Sequence, residues 1–356
     1  MPGRRFPPLD QKLALRADHW SGGAARVATR LGLQAKSFDL AAAGFSDAVG
    51  RDISGDSVAR LTEDWGGRVA EQRSAEAELA NRPGRRGERL AQRRLTEVAP
   101  ITTQANISTD GAMMLVRQEG WKEVKVVAIS EVRAHPASAR ASALPSRRDA
   151  DPLVTLSQHS YQAGLWDADT MALYQYAEGL RRGLDYCPKR SSVNDGALWI
   201  KRITDTNFPG VPQIVDWSHA AEHLWAVANA VYGEQTAPAK QWVEAQLDRL
   251  WTGQVAHVVE TLDQLDLQQP RWPDLVQEAP NYFRSNQERM RYDYFRTQSY
   301  PIGSGTVESA ANTVVHHRLR RPGRGWTRNH GQAMLAGLCE LHSGRFEHAW
   351  YHLANN

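Results

Sequence analysis

The chain lacks the features that mark several classes of protein. It has 356 residues but no apolar run of the roughly 18 residues that a membrane-spanning helix needs, so we expect no membrane partner. Its first residues, MPGRRFPPLDQKL, do not contain the apolar core of a secretory signal peptide. The two cysteines, Cys187 and Cys339, are too few for a disulfide framework or a CxxC metal site. We therefore expect a cytoplasmic protein in a reducing compartment.

Acidic residues are missing from the segment that follows Glu308. Across residues 309–339 there is no Asp or Glu, whereas arginine recurs at Arg318, Arg320, Arg321, Arg324 and Arg328. Because the net charge of the whole chain is only +3, this local distribution is more informative than the total. Glu308 itself follows the glycine-rich turn PIGSG. A lone carboxylate before a basic helix is typical of an enzyme that holds metal ions against a polyanion, although many basic stretches are simply solvated surface.

The N-terminal part has a helical pattern. Apolar residues recur at helical spacing over residues 9–66, with a break at residues 44–45 and Ser54 or Asp56 as a candidate N-cap. Two helices joined by a tight turn would form a helix-turn-helix, with residues 57–65 as its recognition helix. A plain helical hairpin explains the pattern equally well. The composition then predicts an exposed helix, a loop and a second helix before the next domain.

The pattern changes to that of strands at Ile101. The passages ANISTDGAMMLVR and KEVKVVAISEVR alternate or run in β-branched residues around a turn, which predicts a hairpin. A long loop at 134–152 and a third strand, LVTLSQHSYQ, come next. Helices and strands then alternate as far as VPQIVDWSHAAEHLWAVANAVYG, where a strand runs straight into a helix, and the pattern stays helical to about Arg296. We therefore predict an α/β fold, with a mixed sheet flanked by helices and a further helix from about Gly305.

Three carboxylates stand at positions that suggest metal chemistry. Asp110 lies within the first strand, Asp195 ends a short strand, and Glu308 begins a helix. Strand ends and helix starts at one sheet edge can converge in space, and an ionised Asp110 among apolar neighbours is costly unless a cation compensates it. Carboxylate ligands select Mg²⁺ or Mn²⁺, and two such ions suit the cleavage of a phosphodiester. Each Asp-Gly pair taken alone is more often a turn.

A second polar group lies in the passage VDWSHAAEH. Asp216, His219 and His223 share one helical face through their spacing of three and four residues. The functional interpretation is a group close to the metal site. A helix N-cap with two packed or exposed histidines explains the same residues, and without context it is the better explanation.

Several passages together resemble a known family. They run in order over residues 6–350 and read FPPLDQKLAL, STDGAMMLVRQEGWKEVKV, NDGALWI, FPGVPQIVDWSHAAEHLWAVANAVYG, NQERMRYDYFR and PIGSGTVESAANTVVHHRLRRPGRGW. The chain resembles the DDE transposases of bacterial insertion sequences, most closely the ISKra-type group of the Mutator-like superfamily. This resemblance covers nearly the whole chain and implies an RNase H-like core with a helical insertion before the catalytic glutamate.

The resemblance also implies a domain organisation. Residues 1–100 would be a helical, DNA-binding region of helix-turn-helix type. Residues 101–225 would be the first part of the catalytic core, 226–296 an all-helical insertion, and 297–356 the rest of the core with basic C-terminal helices.

Site residues follow from the resemblance. Asp110, Asp195 and Glu308 would be the catalytic residues and the ligands of two Mg²⁺ ions, with Mn²⁺ as a substitute. In this superfamily the second catalytic Asp precedes a helix, and a Cys-or-Asp, two residues and His come later. Asp195 fits the first position, whereas Asp216 and His219 fit the later motif and become site residues of second rank. The residues expected to bind DNA are Arg318, Arg320, Arg321, Arg324, Trp326 and Arg328, although core packing is the better explanation for Trp326.

The implied reaction is cleavage at transposon ends followed by strand transfer to target DNA. Its partners would be the terminal repeats, the target DNA and at least one further copy of the chain, in a bacterial, nucleoid-associated setting. Three alternatives stay open: a nuclease on the same core without strand transfer, a non-catalytic DNA-binding protein derived from a transposase, and a metallohydrolase site around His219 and His223.

Overall fold

The computed structural model describes residues 20–82, 99–135, 153–303, 305–320 and 325–354. Most of the predicted loop at 134–152 and the predicted helix before residue 99 lie outside these ranges. Two of the arginines predicted to bind DNA, Arg321 and Arg324, also lie outside them.

Three helices form the N-terminal part: α1 (Gly22–Gln34), α2 (Phe38–Val49) and α3 (Gly55–Asn81). The expected break at residues 44–45 is wrong, because α2 runs through it and buries Phe45. Ser54 does cap α3, since its side chain accepts a hydrogen bond from the amide of Ser57. The segment 57–65 is the start of a 27-residue helix that buries Leu61 and Trp65.

The fold is α/β, as predicted, and is built on a five-stranded mixed sheet in the order β3-β2-β1-β4-β5. Its strands are β1 (Gln104–Val116), β2 (Gly120–His135), β3 (Leu153–Gly164), β4 (Lys189–Asn194) and β5 (Gln213–Val215). β1, β2 and β3 pair antiparallel, which confirms the predicted hairpin and third strand. β4 pairs parallel with β1, and β5 pairs parallel with β4. The carboxyl ends of β4 and β5 therefore meet the middle of the longer β1.

Helices connect and cover the strands. The described helices after the first hairpin are α4 (Ala168–Arg181), α5 (Leu198–Asn207), α6 (Trp217–Tyr232), α7 (Ala237–Trp251), α8 (Val255–Asp263), α9 (Asp274–Ser285) and α10 (Tyr292–Thr297). A 3₁₀ turn, Gln287–Met290, separates the last two. Asp167 caps α4, and the strand that runs directly into α6 is β5. The predicted alternation of strands and helices, and the helical character up to about Arg296, are thus confirmed.

The chain ends in a second group of helices. Glu308 lies in α11 (Gly305–Ala310), which continues as a π-helical stretch (Ala311–His316) and a short α12 (His317–Leu319). α13 (Arg328–His342) and α14 (Phe346–Ala354) follow.

Apolar clusters hold these layers on both sides of the sheet. On one face, alternate residues of β1 such as Ala112 and Met114 pack with α1, α3 and the helices after Gly305. On the other face, Ile107 packs with residues of α4 and α5. A third cluster joins β4 and β5 to α6–α10. In the part of the chain that the structure describes, no helix is long and apolar enough to cross a membrane.

A buried network of ion pairs ties α3, α4 and α13 together. Arg73 contacts Glu340 at 2.8 Å, Arg181 contacts Glu76 at 2.6 Å, and Arg345 contacts Glu178 at 2.8 Å. All six side chains are at most 5% exposed. Burial alone would raise the pKa of Glu76, but the charges of Arg73 and Arg181 outweigh it and lower that pKa to about 2. The same balance of burial against arginine charge lowers the pKa values of Glu178 and Glu340.

We expect this network to make the fold sensitive to acid. Because the folded pKa values lie below the ordinary glutamate value of 4.5, the glutamates contribute stability that is fully present above pH 4.5 and is lost as the pH falls toward 2. The Glu178→Gln variant should lose about 3–5 kcal/mol of unfolding free energy at neutral pH, since it removes one negative charge from a buried network in which Glu178 pairs with both Arg181 and Arg345. It should also show a flatter dependence of stability on pH in this window.

Denaturant unfolding measured from pH 7 down to pH 2.5 tests this. Asp263→Asn is the matched control, because Asp263 pairs with Arg284 at 2.7 Å on the surface, where both side chains are nearly half exposed. Breaking such a surface pair should cost less than about 1 kcal/mol. Equal losses in the two variants would contradict a stabilising role for the buried network.

Candidate metal centre

The parallel register brings three aspartates to one level of the sheet. Ile107 of β1 is paired with Ser192 of β4, so continuing this register by three residues sets Asp110 beside Asp195. Asn194 of β4 is paired with Val215 of β5, and one further residue sets Asp195 beside Asp216. Asp195 and Asp216 are the residues that directly follow β4 and β5, so the three aspartates lie at the level of the sheet where these two strands end.

Asn194 fixes the spacing of the three strands at this point. Its side-chain Oδ1 accepts a hydrogen bond from the amide of Thr109 at 2.6 Å, immediately before Asp110. Its backbone carbonyl accepts from the amide of Asp216 at 2.7 Å, and Asp195 is the next residue along the chain. Its Nδ2 donates to Ser192 at 2.8 Å, so the side chain, which is fully buried, is held on both sides. One residue thus contacts the backbone next to each aspartate.

The carboxyl group of Asp110 has a raised pKa. Burial is the main cause that raises its pKa to about 6, while the amide of Gly111, which donates to Oδ1 at 2.7 Å, acts in the opposite direction. The negative charges of Asp195 and Glu308 raise the pKa further, and His219 lowers it. These interactions place Asp110, Asp195, His219 and Glu308 within electrostatic reach of one another. A cation bound among these carboxylates would relieve their repulsion.

Asp195 lies in a tight turn between β4 and α5. Its Oδ1 accepts a hydrogen bond from the amide of Ala197 at 2.8 Å. Gly196 has a φ of +100°, and a Cβ there would come within 3.2 Å of the ring of Tyr282. Both the backbone conformation and the close ring require glycine at this position. The Asp-Gly pair is therefore a turn, and it is also the turn that presents Asp195 at the carboxyl end of β4.

Asp216, His219 and Glu308 form the tightest group of possible ligands. One ligand atom from each lies within 4.8 Å of the others. Asp216 caps α6, because its Oδ1 accepts from the amide of His219 at 2.9 Å, and it is 1% exposed. His219 lies one turn into the same helix, where its Nδ1 is 3.3 Å from the carboxylate of Glu222. Glu308 is exposed and comes from α11.

The chain before α11 brings Glu308 to this group. The amide of Trp217, the first residue of α6, donates to the carbonyl of Ile302 at 2.9 Å. A Cβ on Gly303 would lie 3.9 Å from Oδ2 of Asp216, so this segment passes directly over the capping carboxylate. The glycine-rich stretch thereby sets the first turn of α11 next to the start of α6.

These residues fit a divalent cation. Carboxylate oxygens dominate the group, one imidazole adds to them, and buried or repelling carboxylates at one sheet edge are stabilised by positive charge. The Asp216, His219 and Glu308 group can hold one metal ion. Asp216 and His219, predicted only as second-rank residues, are thus the ones that lie closest to Glu308, with Asp110 and Asp195 beside them along the sheet.

His223 has a different environment. Its ring stacks on Tyr282, with ring centres 3.8 Å apart and an angle of 14° between the planes. Burial, and then the charge of His219, lowers its pKa to about 4, so the ring is neutral at physiological pH. His223 is therefore a packed histidine, as the second interpretation of the VDWSHAAEH passage expects.

The predicted DNA-binding residues that the structure describes differ in exposure. Arg318 is 3% exposed, donates to the carbonyl of Gly32 at 3.2 Å and lies over the rings of Phe38 and Trp326. This packing differs from the expectation that Arg318 faces DNA. The ring of Trp326 packs edge-on against Phe38, and its indole Nε1 donates to a backbone carbonyl. Both contacts agree with the expectation that Trp326 is a core-packing residue. Arg320 and Arg328 are exposed.

Sequence reasoning missed four residues around the centre. Asn194 lies unnoticed beside Asp195, and Tyr282, Arg289 and Tyr292 belong to the helical region before Glu308. Arg289 and Tyr292 lie in the passage NQERMRYDYFR, which carries part of the family resemblance but predicts no site residue. Their function depends on contacts that cross from one element to another, so spacing along the chain carried no signal for them.

Comparison with models of known protein families gives no match to the chain, and comparison with curated protein sequences gives none either. What the centre does must therefore be inferred from its geometry and its donor atoms.

Proposed function

We propose that the chain is a DDE transposase that cleaves DNA at transposon ends and transfers the strands to target DNA. The observation that carries the proposal is the convergence of four carboxylates, Asp110, Asp195, Asp216 and Glu308, at one edge of the sheet. An enzyme of this type needs acidic residues from distant parts of the chain at one point. A purely structural role would not account for carboxylates from four separate positions in the chain at one edge of the sheet.

The architecture is compatible with an RNase H-like core. The sheet is mixed, it carries helices on both faces, and its acids lie where parallel strands end. Ligands of open α/β sheets generally bind outside the carboxyl ends of the strands. The helices α6–α10 stand between β5 and Glu308, in the position of the implied insertion.

In the proposed enzyme Asp110, Asp195 and Glu308 would be the catalytic residues, and the group of Asp216, His219 and Glu308 would hold one of the metal ions. Two bound Mg²⁺ ions would supply an activated water or hydroxyl and charge stabilisation for the leaving oxygen of a phosphodiester. The chain's own contribution is to fix the positions of its carboxylates before DNA arrives, which avoids reorganisation during the reaction.

The basic segment after Glu308 would supply contacts to the DNA backbone. Arg320 is exposed and lies 5.5 Å from the centre of the Trp121 ring at the start of β2. Arg328 is exposed as well but is paired with Glu119 at 2.6 Å. Of the described arginines in this segment, Arg320 is therefore the better candidate for a phosphate contact, and Arg318 is a packing residue.

The first prediction concerns the metal ligands. Asp110→Asn, Asp195→Asn, Asp216→Asn and Glu308→Gln should each lower Mn²⁺ affinity about tenfold or more, because each removes a negative charge or a ligand oxygen. Binding is measured by calorimetry on the purified chain without DNA. Asp169→Asn is the matched control, since Asp169 is 79% exposed at the start of α4, and it should bind Mn²⁺ like the unaltered chain. Unchanged Mn²⁺ affinity in Asp216→Asn and Glu308→Gln together would refute the metal centre.

The second prediction concerns the reaction and distinguishes the alternatives. A plasmid that carries the gene with its flanking DNA is incubated with the chain, Mg²⁺ and a target plasmid. A transposase cuts and joins ends, a nuclease cuts without joining, and a DNA-binding protein does neither. We expect cutting and joining by the unaltered chain and by Asp169→Asn, and a loss of more than about a hundredfold in Asp110→Asn, Asp195→Asn and Glu308→Gln. Cutting that persists in Glu308→Gln would remove the DDE assignment.

The third prediction compares two arginines that are close in sequence. Arg320→Ala should weaken binding to random-sequence duplex DNA and reduce the slope of log affinity against log salt by about one, as the loss of one phosphate contact does. Arg318→Ala should instead lower the unfolding free energy by about 2 kcal/mol through its lost buried hydrogen bond and leave that slope unchanged. Salt titrations of DNA binding and denaturant unfolding on both variants test the pair. The reverse pattern would contradict the assignment.

A further inference from the structure

The helical region between β5 and Glu308 contacts the metal centre from outside the sheet. Three side-chain donors from this region reach backbone carbonyls beside the aspartates. The hydroxyl of Tyr282 donates to the carbonyl of Asp195 at 2.9 Å. Nη1 of Arg289 donates to the carbonyl of Gly196 at 3.2 Å. The hydroxyl of Tyr292 donates to the carbonyl of Val215, the residue before Asp216, at 3.0 Å.

Among the described residues, few other hydrogen bonds hold the turn after β4. β4 ends at Asn194, and β5 has only three residues and ends at Val215. The strand pairing therefore stops immediately before Asp195 and Asp216. Beyond Asn194 the turn is held by the Asp195 to Ala197 hydrogen bond and by the donors from the helical region. The backbone of the Asp195 turn is therefore held by side chains more than 80 residues away, since Tyr282 is 87 residues from Asp195.

Tyr282 lies between two parts of the centre. One side of its ring approaches Gly196, where a Cβ would come within 3.2 Å. His223, from the helix that Asp216 caps, stacks on the ring at 3.8 Å. The tyrosine thereby couples the turn that carries Asp195 to the helix that begins at Asp216.

Arg289 and Tyr292 are held rigidly enough to act as fixed donors. Arg289 is 7% exposed, and its Nη1 also donates to the side chain of Asn286 at 2.8 Å. Tyr292 is fully buried, and its ring packs edge-on against Trp217, the first residue of α6. Buried donors with one available geometry restrict the carbonyls that they bind.

We propose that Tyr282, Arg289 and Tyr292 are positioning residues for the metal centre. They hold the Asp195 turn and the end of β5, so that Asp195 and Asp216 keep their places beside Asp110. This inference rests on the proposed metal-dependent function and extends it, because it makes the helical region a part of the centre. Side chains that orient metal ligands from behind typically alter metal affinity or activity by about 10–100-fold when they are changed.

The test uses tyrosine-to-phenylalanine changes, which remove one hydroxyl and keep the ring. Tyr282→Phe and Tyr292→Phe are made in the full chain, with Tyr294→Phe as the matched control, because Tyr294 lies in the same helix as Tyr292 and is 44% exposed. Mn²⁺ affinity is measured by calorimetry without DNA, and thermal unfolding is measured without metal. We expect Mn²⁺ affinity to fall about tenfold or more in the first two variants and to stay within twofold in Tyr294→Phe.

A merely structural role predicts a different result. The lost hydrogen bonds would then lower the melting temperature by a few degrees, while the folded variants would bind Mn²⁺ as tightly as the unaltered chain. Mn²⁺ affinity within twofold of the unaltered value in both variants overturns the proposal, as does absence of Mn²⁺ binding by the unaltered chain. Should Tyr292→Phe not fold, Tyr282→Phe carries the test, since the Tyr282 side chain is only partly buried.

The outcomes also separate this inference from the proposed function. If Tyr282→Phe loses Mn²⁺ affinity but the unaltered chain neither cuts nor joins DNA, the transposase proposal fails and the positioning role stands. If the unaltered chain cuts and joins DNA while Tyr282→Phe binds Mn²⁺ and reacts normally, the transposase proposal stands and the positioning role fails.

Discussion

The candidate centre depends on the hydrogen bonds of one buried residue, Asn194. A parallel strand pair ordinarily continues through backbone bonds, but β4 ends here while β1 continues for several residues. The amide side chain of Asn194 extends the pairing to Thr109, and its backbone carbonyl receives the amide of Asp216. Because these two bonds lie next to Asp110 and Asp216, and Asp195 follows directly in the chain, a shift of Asn194 would change the separations of all three carboxylates. An apolar residue of similar size would leave the Thr109 amide buried without this acceptor, which is costly in a dry interior.

The concentration of negative charge at this point has to be stabilised by the rest of the fold. Elsewhere the protein neutralises its buried acids directly, as in the network where Glu178 and Glu340 meet arginines. Burial raises the pKa of Asp110, and the nearby carboxylates of Asp195 and Glu308 raise it further. This contrast between two sets of acids in one chain is informative. The paired set strengthens the fold, whereas the set at the sheet edge offers carboxylate oxygens to a bound cation.

Much of the fold could be predicted from the sequence because its signals are local. The hairpin, the third strand, the Asp167 and Asp216 caps and the helix near Gly305 follow from alternation, capping residues and turn residues within short windows. The break predicted at Gly44 failed because tertiary packing of Phe45 outweighs the low helix propensity of one glycine. Within the site, Asp110, Asp195 and Glu308 were found by their positions within a strand, at the end of a strand and at the start of a helix. The closeness of Asp216 and His219 to Glu308 was underestimated, because it depends on the Ile302 to Trp217 hydrogen bond between segments far apart in sequence.

The helical region before Glu308 supplies hydrogen bonds to the centre and is more than a spacer. A short edge strand such as β5 offers few backbone bonds of its own, so the residues after it need partners from elsewhere in the chain. Tyr282, Arg289 and Tyr292 supply these partners, and each uses a polar terminus on a largely apolar or buried side chain. The apolar parts of α6–α10 form a core with β4 and β5, and that core determines where the polar termini point. The geometry of the carboxylates therefore depends on packing in the helical region, because the side chains that complete the core also bind the carbonyls beside the aspartates.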